Sequence, residues 1–432
     1  MKILILSHNP ITTYNSMGRT FLGLFSEFKE EELCQIYVYP TIPDISKCKS
    51  YYRITDKNVL QSLFIFNRCG REILDKEIKT TNSLYEKKYD NLLYSNKEKN
   101  RELKLFLRNI AWNTGHWYTN DLNSWIEREN PDIIFAAPGV SSFFYDVIGK
   151  VAKKFSLPIV LYVCDDFYFS SENKGNTILE KVYYKNLRKK IKNIIKKSAS
   201  VISICNQMTE LYSKTFDCKA YTIFSGSSFS IANGYSYRNG NIIRYFGNLQ
   251  LGRMHSILEI GKAIEAINEK WNTDYVLEIY SMDVCSNEIK KVPCIRHMGF
   301  VPAEKLFCLM KEAILLLHIE SFEKDNIERT KYSISTKIPD ILSIGTCLFA
   351  YGPKEIASIQ HLEENKCAFL AFDKATLTSS LETALFDENM RKKVTNQAIQ
   401  VAKEFHLTSI QSEKLRDIME LSCNEVNSKM KK

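Results

Sequence analysis

Short apolar runs without alternation constrain this chain most. Ile3–Leu6, Pro158–Cys164, Ala313–Ile319 and Cys347–Tyr351 are nearly free of polar residues. A strand with one wet face alternates, whereas a strand covered on both faces of a parallel sheet does not. Between the runs lie segments with helical spacing, such as Phe21, Leu24, Phe25 and Phe28, or the stretch from Phe143 to Phe155. Strand and helix in alternation predict an α/β, doubly wound architecture.

The rhythm runs through twice. At 432 residues the chain is long for one core, so two domains are expected. Asn233–Asn241 is rich in Gly, Ser, Asn and Tyr and reads as the linker. The predicted division is residues 1–235, residues 236–405, and a final helix and tail over 406–432 that crosses back to the first domain. Residues 44–130 carry polar, Lys- and Tyr-rich sequence without clear alternation and read as an insertion in the first domain. Helix-like segments stand out there at Glu102–Trp112 and Asp121–Glu129. The Lys-rich tail after Ser422 is expected to fray.

Composition excludes several classes. The twelve cysteines form no CxxC or other metal-ligand spacing, and several sit in apolar strands, so they read as reduced core thiols. The apolar run after Met1 is too short for a leader and nothing approaches the length of a membrane span, so a cytoplasmic protein is expected. Net charge is +9, which favours anionic partners. Lys181–Lys197 holds eight basic residues and no acid, with Tyr184, Leu187, Ile191, Ile194 and Ile195 as an apolar face. That pattern fits a helix packed on a sheet, and equally one resting peripherally on an anionic inner membrane face. No nucleic-acid reading motif accompanies it.

Three places carry candidate chemistry. In Ser333–Lys354, Ser335 and Thr336 read as helix caps, Pro339 as a first-turn residue and Gly345 as the helix stop. Lys337 at that helix start suits a phosphate, or is simply a solvated lysine. Gly18 lies in a strand-loop-helix turn where backbone meets ligand. Asp165 and Asp166 end an apolar strand, where an open sheet binds ligands or where a loop is capped.

Taken together, Tyr245–Arg253, Gly299–Leu306, Glu320-Ser-Phe and Thr336–Gly345 resemble the C-terminal domain of retaining, nucleotide-sugar-dependent glycosyltransferases of the GT-B fold, family 4 in particular. Met1–Phe28, Pro131–Asp166 and Ala199–Gly226 match the N-terminal domain more loosely. The resemblance implies two Rossmann-like domains facing a cleft. The donor, UDP- or GDP-linked, is expected on the second domain, and a glycan or lipid-linked acceptor on the first, without metal or resident cofactor. Arg253 and Lys337 match the cations on the donor diphosphate, with Ser335, Thr336 and Gly18 beside it. Asp340 matches the acid that holds the ribose, and Glu320 the acid near the donor sugar. Asp165 and Asp166 stand where a sugar- or acceptor-facing residue is placed, so Asp165, Asp166 and Glu320 are the candidate catalytic acids.

Two departures stand out. Glu320 and Asp340 are twenty residues apart, against the family's acid-x7-acid spacing, and the second acid is Asp rather than Glu. A sugar-nucleotide epimerase of the same fold, or a non-catalytic nucleotide-binding scaffold, are the alternative readings.

Overall fold

Ile3–Ser7 (β1), Leu33–Tyr37 (β2) and Ile133–Ala137 (β5) are buried at every residue, as continuous apolar strands require. The computed structural model describes residues 1–65, 69–78, 101–172, 175 and 177–430. The chain divides into two units, Met1–Ile223 with Gln411–Lys432, and Phe224–Ile410.

The first unit holds an eight-stranded sheet. Ser50–Arg53 (β3) and Arg71–Ile73 (β4) extend it on one side, and Ile159–Val163 (β6), Ser200–Ser203 (β7) and Ala220–Thr222 (β8) on the other. Their order is β4-β3-β2-β1-β5-β6-β7-β8, parallel except for β3 with β4. β1 lies between β2 and β5, with Ile3 opposite both Leu33 and Ile133. Phe25 packs edge-on against Phe135 at 5.1 Å, in a core that also takes Leu415, Ile418 and Met419 from the helix Thr408–Met430.

Part of the presumed insertion is therefore sheet. Tyr51 and Tyr52 are buried in β3, which is too short to show alternation; pairing with β2 and packing decide its state. The helices Arg101–Thr114 and Asn120–Glu129 stand close to where their spacing puts them. Residues 66–68 and 79–100 of that stretch lie outside the described ones. The basic segment is the helix Ile178–Ile195, which buries Tyr183 rather than Tyr184 beside Leu187, Ile191, Ile194 and Ile195. The tail stays helical to Met430 instead of fraying at Ser422, and Glu425 pairs there with Lys219.

The second unit holds Ile242–Phe246 (β9), Val276–Tyr280 (β10), Ile295–His297 (β11), Leu315–Ile319 (β12), Cys347–Tyr351 (β13) and Phe369–Ala371 (β14). Their order is β11-β10-β9-β12-β13-β14, all parallel. Counted from β9 this is 3-2-1-4-5-6, the doubly wound order whose direction reverses between its first and fourth strands. Arg244 in β9 is buried against Glu278 in β10 at 2.7 Å, so the one charge inside that strand is matched by its register partner. Residues 224–232 belong to this unit because Ala232 N–H donates to Ser343 O and Ser227 and Ser228 hold Asp340. The division accordingly falls at 223/224, ahead of the Gly- and Asn-rich stretch.

Candidate functional site

Two chains of sequence leave the second sheet side by side at its reversal point. Leu317 of β12 pairs with Tyr245 of β9, so Gly247 and Glu320 emerge just past the ends of neighbouring strands. Open α/β sheets bind ligands at such a point. The turn after β9 closes with Leu251 and Gly252 both at positive φ, 56° and 75°. A side chain at Gly252 would stand 2.7 Å from Asn326 Nδ2 and nearer still to Ser321 Oγ. The glycine thus lets the turn lie against the segment after β12.

That turn delivers Arg253 to the first position of the long helix Arg253–Trp271. Its Nε donates to Ile319 O at 3.1 Å, Nη1 to Asn248 Oδ1 at 2.8 Å and Nη2 to Glu320 Oε2 at 3.0 Å. The Glu320 carboxylate is buried, with His318 Nε2 at 3.3 Å from its other oxygen. Burial opposes its ionisation, but His318 and Arg253 outweigh that and hold its pKa below the usual value. A buried anion at a helix N-terminus also suits the helix dipole. Ser358 Oγ lies 3.0 Å from His318 Nε2, completing the cluster.

Lys337 comes from the other side. Its Nζ lies beside Gly247, only 3.1 Å from where a Cβ on that glycine would be. Partial burial and the nearby Arg253 charge lower its pKa, and Glu320 acts in opposition. Much of the Lys337 surface is open, so water screens that repulsion. Lys337 is itself the N-cap of the short helix Ile338–Ile344 and has no side-chain cap. The predicted caps therefore do otherwise. Ser335 takes the Ile338 N–H on its carbonyl and the Lys337 N–H on its hydroxyl, and Thr336 is exposed. Gly345 ends the helix at φ 78°, as the sequence predicts.

Asp340 faces the unit's own opening segment. Its Oδ1 accepts from Ser228 N at 2.7 Å, Ser228 Oγ at 2.9 Å and Ser227 Oγ at 3.1 Å. So the structure brings Arg253, Glu320 and Lys337 together, with Asp340 one turn of helix away from Lys337.

The remaining candidates lie in the first unit. Gly18 N–H donates to Asn15 Oδ1 at 2.6 Å, and a side chain there would press into the Thr12 backbone at 2.6–2.7 Å. It serves the packing of the helix Ser16–Leu24. Asp166 accepts the N–H groups of Tyr168, Phe169 and Ser170 at 2.9–3.1 Å and the Tyr212 hydroxyl at 3.2 Å, which is the capping role. Asp165 instead lines a recess with Gly139, Tyr145, Tyr162 and Tyr212.

Sequence reasoning missed His318, whose position inside an apolar run looked like core, and Gly247, read only as part of a turn. It also missed His8 at the end of β1. Burial first, and then the Arg108 charge, lowers the pKa of that ring to about 3. Met282, Val284, Met298 and Phe300, exposed beyond β10 and β11, carried no signal except chain position. Among the described residues no three His, Cys, Asp or Glu side chains group as a metal site.

No protein-family model matches the chain, and no curated protein matches it in sequence. Solved structures do. HepE of Anabaena in complex with UDP and glucose is 12% identical over 97% of this chain and 99% of that one, with a TM-score of 0.61. The fold is GT-B. Sucrose-phosphate synthase from Thermosynechococcus elongatus shares it at 11% identity, 98% and 99% coverage and a TM-score of 0.58. So does WaaG, a glycosyltransferase involved in lipopolysaccharide biosynthesis, at 12% identity, 96% and 99% coverage and a TM-score of 0.55. At such identities the likeness is one of fold alone.

Proposed function

We propose that the protein is a GT-B glycosyltransferase of the retaining, family 4-like kind. It moves a hexose from a UDP- or GDP-sugar to a glycan or lipid-linked saccharide. The observation that carries this reading is the Arg253–Glu320–Lys337 cluster at the reversal point of the second sheet. Two cations against one buried carboxylate leave one positive charge, with Lys337 reaching over Gly247 into open space. A nucleoside diphosphate fits that charge. HepE, which has the same fold, is a complex with UDP and glucose in one structure and with UDP-glucose in another.

In this reading Lys337 and Arg253 take the diphosphate oxygens. As the bond to the sugar breaks, charge accumulates on the leaving diphosphate, and fixed cations stabilise it without reorganising. Glu320 keeps Arg253 in place and lies near the donor sugar, while Asp340 takes the ribose hydroxyls beside or in place of its serine contacts. Ser335 and Thr336 flank the phosphates. Gly18 supports the first loop and Asp165 faces the acceptor from its recess, with Asp166 holding the turn that follows.

Calorimetric titration with UDP and GDP tests the reading. One of them should bind, and Lys337→Ala should weaken it about 10- to 100-fold, the equivalent of a charge-assisted hydrogen bond. Binding of neither nucleotide, or an unchanged affinity in Lys337→Ala, would overturn the donor site. Incubating the matching nucleotide sugar with and without saccharide acceptors then separates transfer from epimerisation, since an epimer released without acceptor would refute transfer.

A further inference from the structure

The outward face of the helix Ile178–Ile195 has an order that packing on the sheet does not require. Ile178, Val182, Lys185, Lys189, Lys192 and Lys196 fall within about 40° of one line along it, at the helical 100° per residue. All six are exposed, Ile178 by 84% and Val182 by 55%. Tyr183, Leu187 and Ile191 occupy the opposite, buried face. The stripe is thus apolar at its start and cationic for the rest of its length.

The flanks differ from the stripe. Lys190 pairs with Asp146 and Arg188 with Glu172, at 2.5 and 2.8 Å. Among the described residues, no ion pair engages the stripe lysines, and the nearest acid in sequence, Glu180, is held by the Thr177 N–H in the helix cap. The adjoining helix Ser142–Phe155 adds Lys153 and Lys154, both exposed. Two exposed aliphatic side chains beside an unmatched row of lysines complement a surface that is apolar a few ångströms down and anionic at the top. Among the described residues no helix is long and apolar enough to cross a membrane, so such contact is peripheral.

We propose that this stripe docks the protein on an anionic bilayer, with Ile178 and Val182 entering the headgroup boundary and the lysines lying along the lipid phosphates. The proposal stands apart from the donor site, which lies in the other unit. Its test is flotation of the full chain with phosphatidylcholine vesicles, with and without about one-third phosphatidylglycerol. The protein should float only with the anionic vesicles and be released at high salt. Each lysine near such a surface contributes about a fivefold factor, so Lys185→Gln with Lys189→Gln should lower partitioning about 25-fold. Val182→Ser should lower it while preserving the salt dependence, and both variants should keep the UDP or GDP affinity of the parent. Absence of flotation, equal flotation with pure phosphatidylcholine, or variants that float like the parent would overturn the proposal. So would a dimer in sedimentation equilibrium that the lysine variant dissociates in the absence of vesicle binding, which would give the stripe to a second copy of this chain.

Discussion

Removing the Arg253 guanidinium reaches the buried charge on which the candidate site is built. Glu320 is 3% exposed, and Arg253→Ala removes the guanidinium 3.0 Å from its carboxylate and leaves His318 Nε2 as the neighbour at 3.3 Å. Deleting one partner of a buried ion pair costs about 3–5 kcal/mol. In a unit of this size that lowers Tm by roughly 6–20 °C. The pH dependence should also change. In the parent, Glu320 has a folded pKa below its ordinary 4.5, so its stabilisation is present above that pH and is lost as pH falls through the folded value. Burial is the largest influence and acts in the other direction. Without Arg253 two of the influences that lower the pKa are gone, so the folded pKa rises and the pH at which Glu320 loses its stabilising charge moves up. Scanning calorimetry can follow the second unit, with Trp271 as its fluorescent reporter. Arg253→Ala combined with Glu320→Gln should recover most of the loss. A loss under about 1 kcal/mol, an unchanged pH slope, or no recovery in the double variant would refute the reasoning.

Further expectations concern backbone, turn and buried imidazoles. Gly252→Ala should destabilise by roughly 1–3 kcal/mol in urea unfolding, from positive φ and the collision with Ser321, while Gly240→Ala, with open space around it, should change little. Asp166→Ala leaves three N–H groups without their acceptor and should cost about 1–3 kcal/mol in the first unit, with nucleotide affinity intact by calorimetry. His361 and His406 touch Nε2 to Nε2 at 3.0 Å, and burial above all keeps their pKa values at about 3 and about 4. The unfolded chain takes up protons that this neutral pair refuses, so stability should decline as pH falls below about 6.5, and His361→Phe should flatten that decline in thermal scans.

The fold was largely legible because burial on both faces writes itself as Ile3–Leu6 or Leu315–Leu317. It was least legible where pairing decides structure, as for the four residues of β3. The site was legible in part. Lys337 was readable as a cation at a helix start and Arg253 only through the resemblance, but no spacing along the chain says that both approach Glu320. That meeting follows from β12 lying next to β9 although β10 and β11 intervene in sequence. The twenty residues from Glu320 to Asp340 measure contour length, whereas Glu320 is located by Arg253 and His318. Asp166 shows the converse: at a strand end a ligand-facing acid and a loop cap read alike in sequence, and the N–H groups of the next turn show this one capping.

The helix Thr408–Met430 gives the first unit Leu415, Ile418 and Met419 from the far side of the second unit in sequence. On the ribosome this sets an order of completion. Phe224–Ile410 is contiguous and can close its core as soon as it emerges, while the earlier-made Met1–Ile223 waits with the seat for those three side chains open. The half of the protein synthesised first is the half finished last. Translation halted before Gln411 would therefore leave a completed second unit tethered to a first that still exposes apolar surface to chaperones and proteases.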